Sequence, residues 1–439
     1  MDCSSDSDNS SQRIFDFNSS SKTVSNACTT PITSNTSAEN LESAKQLIDE
    51  NYIAVVGGLG YIGSHTCLEL LKSGHNILII DNLCNSFVSN FDKICLLAKD
   101  YYESRGQKVP LINFCEADYR DETKIKQLFN KYMIVDTDFD NYTKTKSRIL
   151  GVIHFAAHKS VSESIENPFK YYANNVSGLI EFCAVLKSFN IKTLIFSSSA
   201  TVYGAVATSG ISVLREEYCV HQSETFVDHQ GTILTHESGC TGLTNPYGRS
   251  KWMCEAILSD ISLADDDWSI MALRYFNPIG CDESGLLGEC SRGAPSNLMP
   301  VIMQVLSGKS RVLKIFGADY PNTPDGTAIR DYIHVTDLAR GHISALAAAR
   351  KKHGFRTYNL GSGIGYSVRD IIQAVEEVSC KKIPVQIAPR RVGDVERCVA
   401  LPQRAENELK WKAKISLKDA CRDSIKFMKL EEERNRATT

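Results

Sequence analysis

The sequence lacks the long apolar run, the strong net charge and the targeting signal that mark several large classes of protein. It contains no run of about 18 apolar residues, so a transmembrane helix is not expected. The N-terminus has no basic region followed by an apolar core, so no secretory signal is apparent. A formal net charge of −3 over 439 residues gives no general attraction to nucleic acid or anionic membranes. We therefore expect neither a nucleic acid nor a membrane as partner.

Paired cysteines are also lacking, although cysteine itself is abundant. The 15 cysteines are odd in number and show no C-x-x-C spacing. Several of them, including Cys67, Cys183 and Cys254, lie in segments with regular apolar periodicity. Free buried thiols in a reducing compartment explain this pattern better than disulfides or a zinc site. The ten histidines form no cluster with ligand spacing, so the sequence predicts a cytoplasmic protein without a structural metal.

Length and composition predict two domains and one segment that does not fold. Residues 1–44 are rich in Ser, Thr, Asn and Asp, and too poor in large apolar groups to offset their ordering entropy, which predicts a disordered N-terminal tail. We assign 52–275 to a first domain and 276–430 to a second, with chain crossings between them. Two polar stretches near 136–147 and 206–241 interrupt the first domain and are predicted to be inserted surface loops.

Strands alternate with helices along the first domain. The apolar run Ile53–Val56 ends in glycines, "IGSHTCLELLKSG" has helical periodicity, and "HNILIIDN" has the composition of a second buried strand. Further apolar runs occur at "GVIHFAA" and "TLIFSSSA". This alternation is typical of βαβ units around a parallel sheet. The predicted fold class is α/β, a Rossmann-type doubly wound parallel sheet with a smaller mixed α/β substrate-binding domain.

The stretch "VVGGLGYIG" places Gly57, Gly60 and Gly63 between a strand and the start of a helix. Glycines permit a tight turn and close backbone approach to a pyrophosphate, and the helix N-terminus favours its negative charge. Asp81 ends the second strand, where a carboxylate suits the two free ribose hydroxyls of NAD and repels the phosphate of NADP. The alternative is a purely structural glycine turn, but the strand, helix and acid in order favour an NAD site.

Tyr247 and Lys251, in "NPYGRSK", lie four residues apart and would share one face of a helix. A lysine ammonium beside a phenol is expected to lower the phenol pKa and make Tyr247 a general base. Ser199, at the end of the run "TLIFSSSA", would hydrogen-bond the reacting oxygen. Tyr-x-x-x-Lys alone is a weak pattern, and it also occurs at Tyr142–Lys146 in the first predicted loop. A polar loop is a poor place for a preorganised pair, so only Tyr247–Lys251 is assigned to chemistry.

Nine motifs together resemble those of the UDP-glucose 4-epimerases, within the extended short-chain dehydrogenase/reductase family. The motifs are "GGLGYIGSH", "DNLCNS", "SSSATVYG", "NPYGRSK", "RYFNPIG", "NLMP", "RDYIHVTDLA", "YNLG" and "APRRVGD", and the resemblance as a whole covers about residues 52–425. The resemblance implies epimerisation at C4 of UDP-glucose and UDP-galactose in galactose metabolism, through a 4-keto intermediate and with tightly bound NAD. It also implies UDP-sugar ligands and a homodimer built through a helix bundle.

The resemblance implies further site residues. The implied cofactor-binding positions, besides the three glycines and Asp81, are Tyr61, Ile62, Asn82, Asn85, Ser86, Asp118, Tyr119, Phe155, Lys159, Asn175 and Tyr275. The implied substrate-binding positions are Asn277, Asn297, Leu298, Phe316, Arg330, Tyr332, Arg391, Asp394 and Cys398. Guanidinium forks suit a diphosphate, although surface salt bridges are the more usual use of arginine. Tyr275 and Phe276 are equally compatible with a role in the core.

Cys398 stands where the family often places a bulky aromatic that excludes an N-acetyl group. We hypothesise that UDP-GlcNAc and UDP-GalNAc are also accepted, unless other residues or the second inserted loop fill the space. The sequence departs from the family at Val56, at Ala157 and His158, at Val392 and in the longer segment between Ser199 and Tyr247. None of these departures removes a group that the chemistry needs.

Other functions remain as alternatives. A nucleotide-sugar dehydratase or a UDP-glucuronate decarboxylase would need an acid shortly after the strand-end hydroxyl, where Ala200, Thr201 and Val202 stand. A sugar reductase would prefer NADPH, which Asp81 disfavours. A non-catalytic NAD- or UDP-sugar-binding protein is the alternative from another class, and the presence of Ser199, Tyr247 and Lys251 together argues against it.

Overall fold

The computed structural model describes residues 12–15, 51–137, 143–208, 211–227, 230–290, 292–391 and 393–438. Within these ranges, no helix combines the length and apolarity needed to cross a membrane. The strands in chain order are β1 (Gln12–Phe15), β2 (Tyr52–Val56), β3 (Asn76–Asp81), β4 (Ile112–Glu116), β5 (Met133–Thr137), β6 (Thr143–Ser147), β7 (Ile149–His154), β8 (Thr193–Ser199), β9 (Glu224–Val227), β10 (Ile233–His236), β11 (Ser269–Tyr275), β12 (Asn277–Ile279), β13 (Leu313–Phe316), β14 (Ile329–His334), β15 (Gly354–Leu360), β16 (Gly365–Ser367), β17 (Val385–Ala388) and β18 (Arg397–Cys398).

Helices connect most of these strands. They are α1 (Tyr61–Lys72), α2 (Ser89–Glu103), α3 (Glu122–Asn130), α4 (Val161–Glu166), α5 (Pro168–Tyr171), α6 (Gly178–Ser188), α7 (Pro246–Ala264), α8 (Leu298–Leu306), α9 (Val335–Ala349), α10 (Val368–Ser379) and α11 (Leu417–Thr438). A π-helical turn, Tyr172–Ser177, joins α5 to α6. Several helices begin at the side chains that the sequence offers as caps. Asn245 accepts a hydrogen bond from Gly248 N ahead of α7, and Ser367 with Asp370 forms a capping box on α10.

The central sheet has the strand order β1-β4-β3-β2-β7-β8-β11-β15. Seven of these strands run parallel, and only β1 is antiparallel to its neighbour. The chain winds outward from β2 to β3 and β4 on one side, then returns to β7 and continues to β15 on the other. Ligands of such sheets bind at the carboxyl ends of the strands where the winding reverses, which here lies between β2 and β7. The predicted doubly wound Rossmann-type fold is confirmed.

Each face of the sheet is covered by helices, as buried parallel strands require. Side chains alternate along β2, so Ile53 and Val55 join one apolar cluster with α1, α2 and α9. Ala54 and Val56 point to the opposite face and join α3, α6 and α7. This burial on both faces explains why the strands are continuous apolar runs in the sequence.

A smaller region carries the short strands β12, β14, β16 and β18 in one sheet and the pair β13–β17 in another. Its apolar cluster joins α8, α10 and α11. The chain from β11 enters this region at β12, but α9 and β15 return to the large sheet, where β15 pairs with β11. The two regions are therefore interleaved in the sequence rather than divided at residue 275.

Two predictions about irregular segments need correction. The sequence predicts no structure for residues 1–44, whereas Gln12–Phe15 pair with β4, and residues 1–11 and 16–50 lie outside the described residues. An edge strand offers unpaired backbone groups, so a short segment can pair there without an apolar core of its own.

The two predicted loops also contain regular structure. β5 pairs with β6 in the first and β9 with β10 in the second, each as an antiparallel hairpin. Hairpins form through backbone hydrogen bonds and do not need apolar periodicity. The sequence pattern therefore did not indicate these two hairpins. The Tyr142 of the second Tyr-x-x-x-Lys pattern lies outside the described residues.

Candidate active site

The loop after β2 holds the tightest backbone approaches of the site. Gly57 has a φ of +75°, and a Cβ there would come within 2.8 Å of Ala156 N at the end of β7. A Cβ on Gly63 would overlap the Gly57 carbonyl oxygen and come within 2.9 Å of Gly58 Cα. Gly57 therefore requires glycine both for its positive φ and for its contact with Ala156. Gly63 requires glycine because a Cβ would collide with the backbone of Gly57 and Gly58. The turn brings the backbone of residues 57–60 to the start of α1.

The N-terminus of α1 is suited to an anion. Its cap position is Gly60, which makes no side-chain cap hydrogen bond. The first backbone N–H groups of a helix have no partner within the helix, and its dipole favours negative charge there. Gly57, Gly60 and Gly63 all line one elongated cavity. A pyrophosphate fits this end of the cavity because, in the part of the chain that the structure describes, no side chain caps the helix N–H groups.

Asp81 lies at the end of β3 and is almost wholly buried. Its Oδ2 accepts a hydrogen bond from Leu59 N at 2.9 Å, and its Oδ1 accepts from Leu83 N at 2.9 Å and from Ser86 Oγ at 2.8 Å. The carboxylate thus ties the glycine loop to the loop that follows β3. Because Asp81 also lines the cavity, it presents negative charge where the ribose of a dinucleotide would bind.

Most of the residues predicted to bind the cofactor line this cavity. Those in its wall are Gly57, Gly60, Tyr61, Ile62, Gly63, Asp81, Asn82, Asn85, Ser86, Tyr119, Phe155, Lys159 and Tyr275. The cavity continues to Ser197, Tyr247 and Lys251 at its inner end. One continuous space therefore joins the glycine loop to the Tyr–Lys pair, and the residues present fit an extended dinucleotide.

Two predicted cofactor residues do not line the cavity. Asn175 receives a hydrogen bond from His158 N at 2.9 Å and donates to His158 O at 3.0 Å and Ser250 Oγ at 3.1 Å. It braces the loop after β7, while its neighbour Asn174 takes the place in the wall.

Asp118 pairs with Arg120 and accepts from Asn82 at 3.0 Å. Burial raises the Asp118 pKa, but these hydrogen bonds outweigh it and lower the pKa to about 2. Asp118 therefore stays charged and orients Asn82, which does line the cavity.

Tyr247 and Lys251 occupy the first turns of α7, beside the end of β8. The Lys251 ammonium is buried, lies 2.5 Å from Ser197 O and stands over the Phe196 ring at 4.7 Å. Burial lowers its pKa to about 8. Ser199 accepts a hydrogen bond from Thr201 Oγ1 at 3.0 Å and is also hydrogen-bonded to Tyr247.

The expected lowering of the Tyr247 pKa is not found in the protein alone. Burial raises the pKa of Tyr247, and its hydrogen bond with Ser199 only partly opposes this. Lys251 directs its ammonium to the Ser197 carbonyl instead. The prediction was wrong because helical spacing fixes which residues share a face but not the hydrogen-bond partner that a long side chain selects.

Four predicted substrate residues share one face of the small sheet. Asn277 pairs with Tyr332 between β12 and β14, and Arg330 pairs with Cys398 between β14 and β18. Register partners point to the same side of a sheet, as do residues two apart on a strand. Asn277, Tyr332, Arg330 and Cys398 therefore form one surface, although their separation in the sequence reaches 121 residues (Asn277 to Cys398).

The remaining predicted substrate residues lie on neighbouring segments. Arg391 places its guanidinium over the Phe316 ring at 4.0 Å, and Arg330 lies 3.5 Å from Asp394. Asn297 is the N-cap residue of α8, which begins at Leu298, and its side chain donates to Glu289 at 2.7 Å. Two guanidinium groups and an open helix N-terminus make this region suited to a diphosphate.

Sequence reasoning missed several residues of the cavity wall. Ala156 follows β7 and Ser197 lies two residues before the end of β8, so the rule that ligands bind at the carboxyl ends of strands would have found them. Ala157 and His158, noted above only as departures from the family, also line the wall. Glu289 and Cys290 also line the wall. They come from a turn-rich segment with no motif, and nothing local indicates their position.

The chain is similar to proteins of known activity over most of its length. A sequence profile described as the NAD-dependent epimerase/dehydratase family matches residues 53–361. The UDP-glucose 4-epimerase of Bacillus subtilis is 42% identical, over 85% of this chain and 96% of that protein. The human UDP-glucose 4-epimerase is 41% identical over 86% and 96%.

The structure is also similar to solved structures of UDP-glucose 4-epimerases. A UDP-glucose 4-epimerase from Stenotrophomonas maltophila with bound NAD and formylated UDP-arabinopyranose has a TM-score of 0.73 and 38% identity, over 88% of this chain and 99% of that one. A Bifidobacterium longum UDP-glucose 4-epimerase in complex with NAD⁺ and UDP has a TM-score of 0.71 and 37% identity, over 87% and 99%.

The glycine loop generates a direct test. Gly63→Ala is expected to lower the free energy of unfolding by about 1–3 kcal/mol, because the added methyl group must displace backbone, and to abolish retention of NAD during purification. Gly60→Ala is the matched control for folding, since its Cβ would lie 3.4 Å from Gly57 O. Chemical denaturation and the NAD content of acid extracts give the two measurements. Full retention of NAD by Gly63→Ala would contradict the assignment of this loop.

Proposed function

The chain belongs to the NAD-dependent epimerase/dehydratase family, and on this premise we propose that it is an isomerase that interconverts UDP-glucose and UDP-galactose. The reaction inverts C4 of the hexose through a 4-keto intermediate and serves galactose metabolism. One observation carries the proposal: the cavity that begins at the glycine loop ends at Tyr247 and Lys251, with Ser199 hydrogen-bonded to Tyr247. A nucleotide-binding protein without catalysis would have no need of this arrangement.

In the proposed reaction, Tyr247 and Ser199 transfer the proton of the O4 hydroxyl. Tyr247 Oη accepts the O4 proton as the C4–H bond breaks, and Ser199 hydrogen-bonds the same oxygen and helps to pass the proton. NAD⁺ would be held along the cavity by the glycine loop and Asp81, and it would supply the acceptor and donor for the C4 hydride. The proton returns from Tyr247 to O4 when the hydride returns, so no net oxidation occurs. Tyr247 must be a phenolate to accept this proton, and burial, which raises its pKa, opposes that form in the protein alone.

The UDP moiety acts as the fixed point of the reaction. Arg330 and Arg391 bind the diphosphate, Asp394 the uridine ribose, and Asn277 and Asn297 the remaining polar groups of the nucleotide. The hexose must turn between its two half-reactions, so its contacts are fewer and weaker than those of UDP. A firm nucleotide anchor with a loose sugar pocket meets both requirements.

Tyr247→Phe is expected to lower kcat by about 10²- to 10⁴-fold, because the O4 proton then has no base. Purified protein is incubated with UDP-galactose without added NAD, and UDP-glucose is resolved by chromatography. Tyr101→Phe, on α2 outside the cavity, is the matched control and should keep wild-type activity. Absence of conversion by the wild type, even with NAD added, would contradict the proposed function.

We also propose that the enzyme accepts UDP-GlcNAc and UDP-GalNAc. Cys398 is half-buried beside Arg330. Burial raises the pKa of its thiol to about 11, so the side chain is both small and uncharged at neutral pH. Leu214 and Cys219 of the second inserted segment pack in the same cluster as Cys398. A cysteine side chain is much smaller than an aromatic ring, and this difference in size supports the proposal.

Cys398→Tyr is expected to reduce kcat/KM for UDP-GalNAc about 10- to 100-fold, with a smaller effect on UDP-galactose, because only the N-acetyl group needs the space. Cys398→Ser is the control that keeps the small side chain. Both substrates are assayed with each variant. Equal losses for the two substrates, or full UDP-GalNAc activity in Cys398→Tyr, would refute the proposal.

We propose a homodimer formed through α6 and α7, which lie on the same face of the large sheet. These helices and the adjacent α5 expose large apolar side chains, with Ile180 47%, Met253 39%, Leu263 61% and Phe169 85% accessible. Large exposed apolar side chains concentrated on a few helices support an interaction surface there. We further propose a cytoplasmic location, which the free thiols of the described cysteines support.

The double substitution Ile180→Glu and Met253→Glu is expected to convert the dimer to a monomer, because it places four charges in one symmetric interface. Ile387→Glu on β17, where the isoleucine is 50% accessible, is the matched control. Sedimentation velocity gives the mass. An unchanged mass for the double variant would place the interface elsewhere.

A further inference from the structure

A single buried carboxylate receives four hydrogen bonds behind the active site. Glu255, on α7, accepts at Oε1 from Ser198 Oγ and from Arg274 Nε at 3.1 Å. Its Oε2 accepts from Arg274 Nη2 at 2.7 Å and is 2.8 Å from His221 Nε2. The side chains of Glu255 and Arg274 are 0% exposed, and that of His221 is 3% exposed. The lone pairs of this carboxylate are thus fully used.

Each partner of the carboxylate adjoins a residue of the active site. Ser198 precedes Ser199 on β8, and Arg274 precedes Tyr275 on β11. Glu255 itself lies one helical turn beyond Lys251 on α7. The carboxylate therefore ties together the two strands and the helix that present the groups at the inner end of the cavity.

His221 belongs to the second inserted segment, for which sequence reasoning found no purpose. Its ring packs against Trp252 and Phe355, with centroids 5.6 and 5.7 Å apart. The buried Nδ1 has no hydrogen-bond partner among the described residues. Because the Glu255 carboxylate can only accept, Nε2 carries a proton and donates the hydrogen bond to Glu255. Residues 216 and 219 of the same segment also accept hydrogen bonds from Arg274 through their backbone carbonyls, at 3.1 and 2.6 Å.

We propose that His221 is a positioning residue for the epimerase reaction, and that through Glu255 it holds Ser199, Tyr247 and Lys251 in their productive arrangement. The inference rests on the proposed function, since it assigns a part in that reaction to the inserted segment. The segment is then a component of the active-site support and not a surface addition.

The charge state of the Glu255 carboxylate supports this positioning role. Burial raises the Glu255 pKa, but the charge of Arg274 and the hydrogen bonds from His221 and Arg274 outweigh it and lower the pKa to about 2. The carboxylate is therefore charged at every pH at which the reaction would be measured. Removal of the His221 donor leaves one buried charged oxygen short of a partner, and α7 and β8 must shift to relieve it.

His221→Leu and His221→Gln test the proposal. Leucine removes the donor, whereas glutamine keeps an N–H that can reach Glu255. We expect kcat of His221→Leu to fall about tenfold, the size of one lost hydrogen bond to a charged group. KM for UDP-galactose should stay unchanged, because the UDP-binding residues lie on other elements. His221→Gln should recover most of kcat. His236→Leu, in the same segment but packed against Tyr218 and Phe226, is the matched control.

Hydrogen exchange of backbone amides provides a readout that needs no turnover. Residues 195–199 and the first turns of α7 should exchange faster in His221→Leu than in wild type, His221→Gln or His236→Leu. His221→Ala replaces the leucine variant if leucine prevents folding. Unchanged kcat and exchange in His221→Leu, or equal losses with glutamine and leucine, would overturn the proposal. An inactive wild type would instead contradict the proposed function, and the exchange data would still decide whether His221 positions these elements.

Discussion

The buried pair of Glu255 and Arg274 is the constraint on which the active-site end of the molecule depends. Removing two charges from water costs several kcal/mol for each ion unless the geometry and the remaining hydrogen bonds compensate. Here the guanidinium forks onto the carboxylate through Nε and Nη2, and the other polar positions are taken by Ser198, His221 and backbone carbonyls. Because none of these partners can move alone, β8, β11 and α7 are held as one unit.

This rigidity contrasts with the sugar pocket, where epimerisation requires the hexose to rotate. The cavity proposed for the cofactor lies along strand ends and a helix N-terminus, where close glycine packing leaves the backbone little freedom. In the proposed function, UDP is bound by Arg330 and Arg391 of the smaller region. Between them the hexose has to present first one face and then the other, and we propose that the small side chain of Cys398 provides the space that this needs. The proposed reaction thus requires a fixed cofactor, a fixed nucleotide and a mobile sugar.

Local sequence patterns predicted a large part of this arrangement. The glycines after β2 and the acid at the end of β3 follow from strand–turn–helix geometry, and the fold class follows from alternating apolar periods. The hydrogen-bond partners of polar side chains were predicted less well. Asn175 braces His158 and Ser250 while Asn174 lines the cavity, and Lys251 bonds to the Ser197 carbonyl. Neighbouring asparagines have the same chemistry, so spacing cannot distinguish them.

The sequence by itself determined the doubly wound sheet, the dinucleotide loop and the presence of a Tyr–Lys pair, because each depends on residues close together in the chain. Only the tertiary structure decided that Asn277, Arg330, Tyr332 and Cys398 share a face, since β-sheet register joins segments far apart in sequence. It also decided that His221 reaches Glu255 and that burial raises the Tyr247 pKa. Burial and partner choice are properties of the packed chain, and no local pattern contains them.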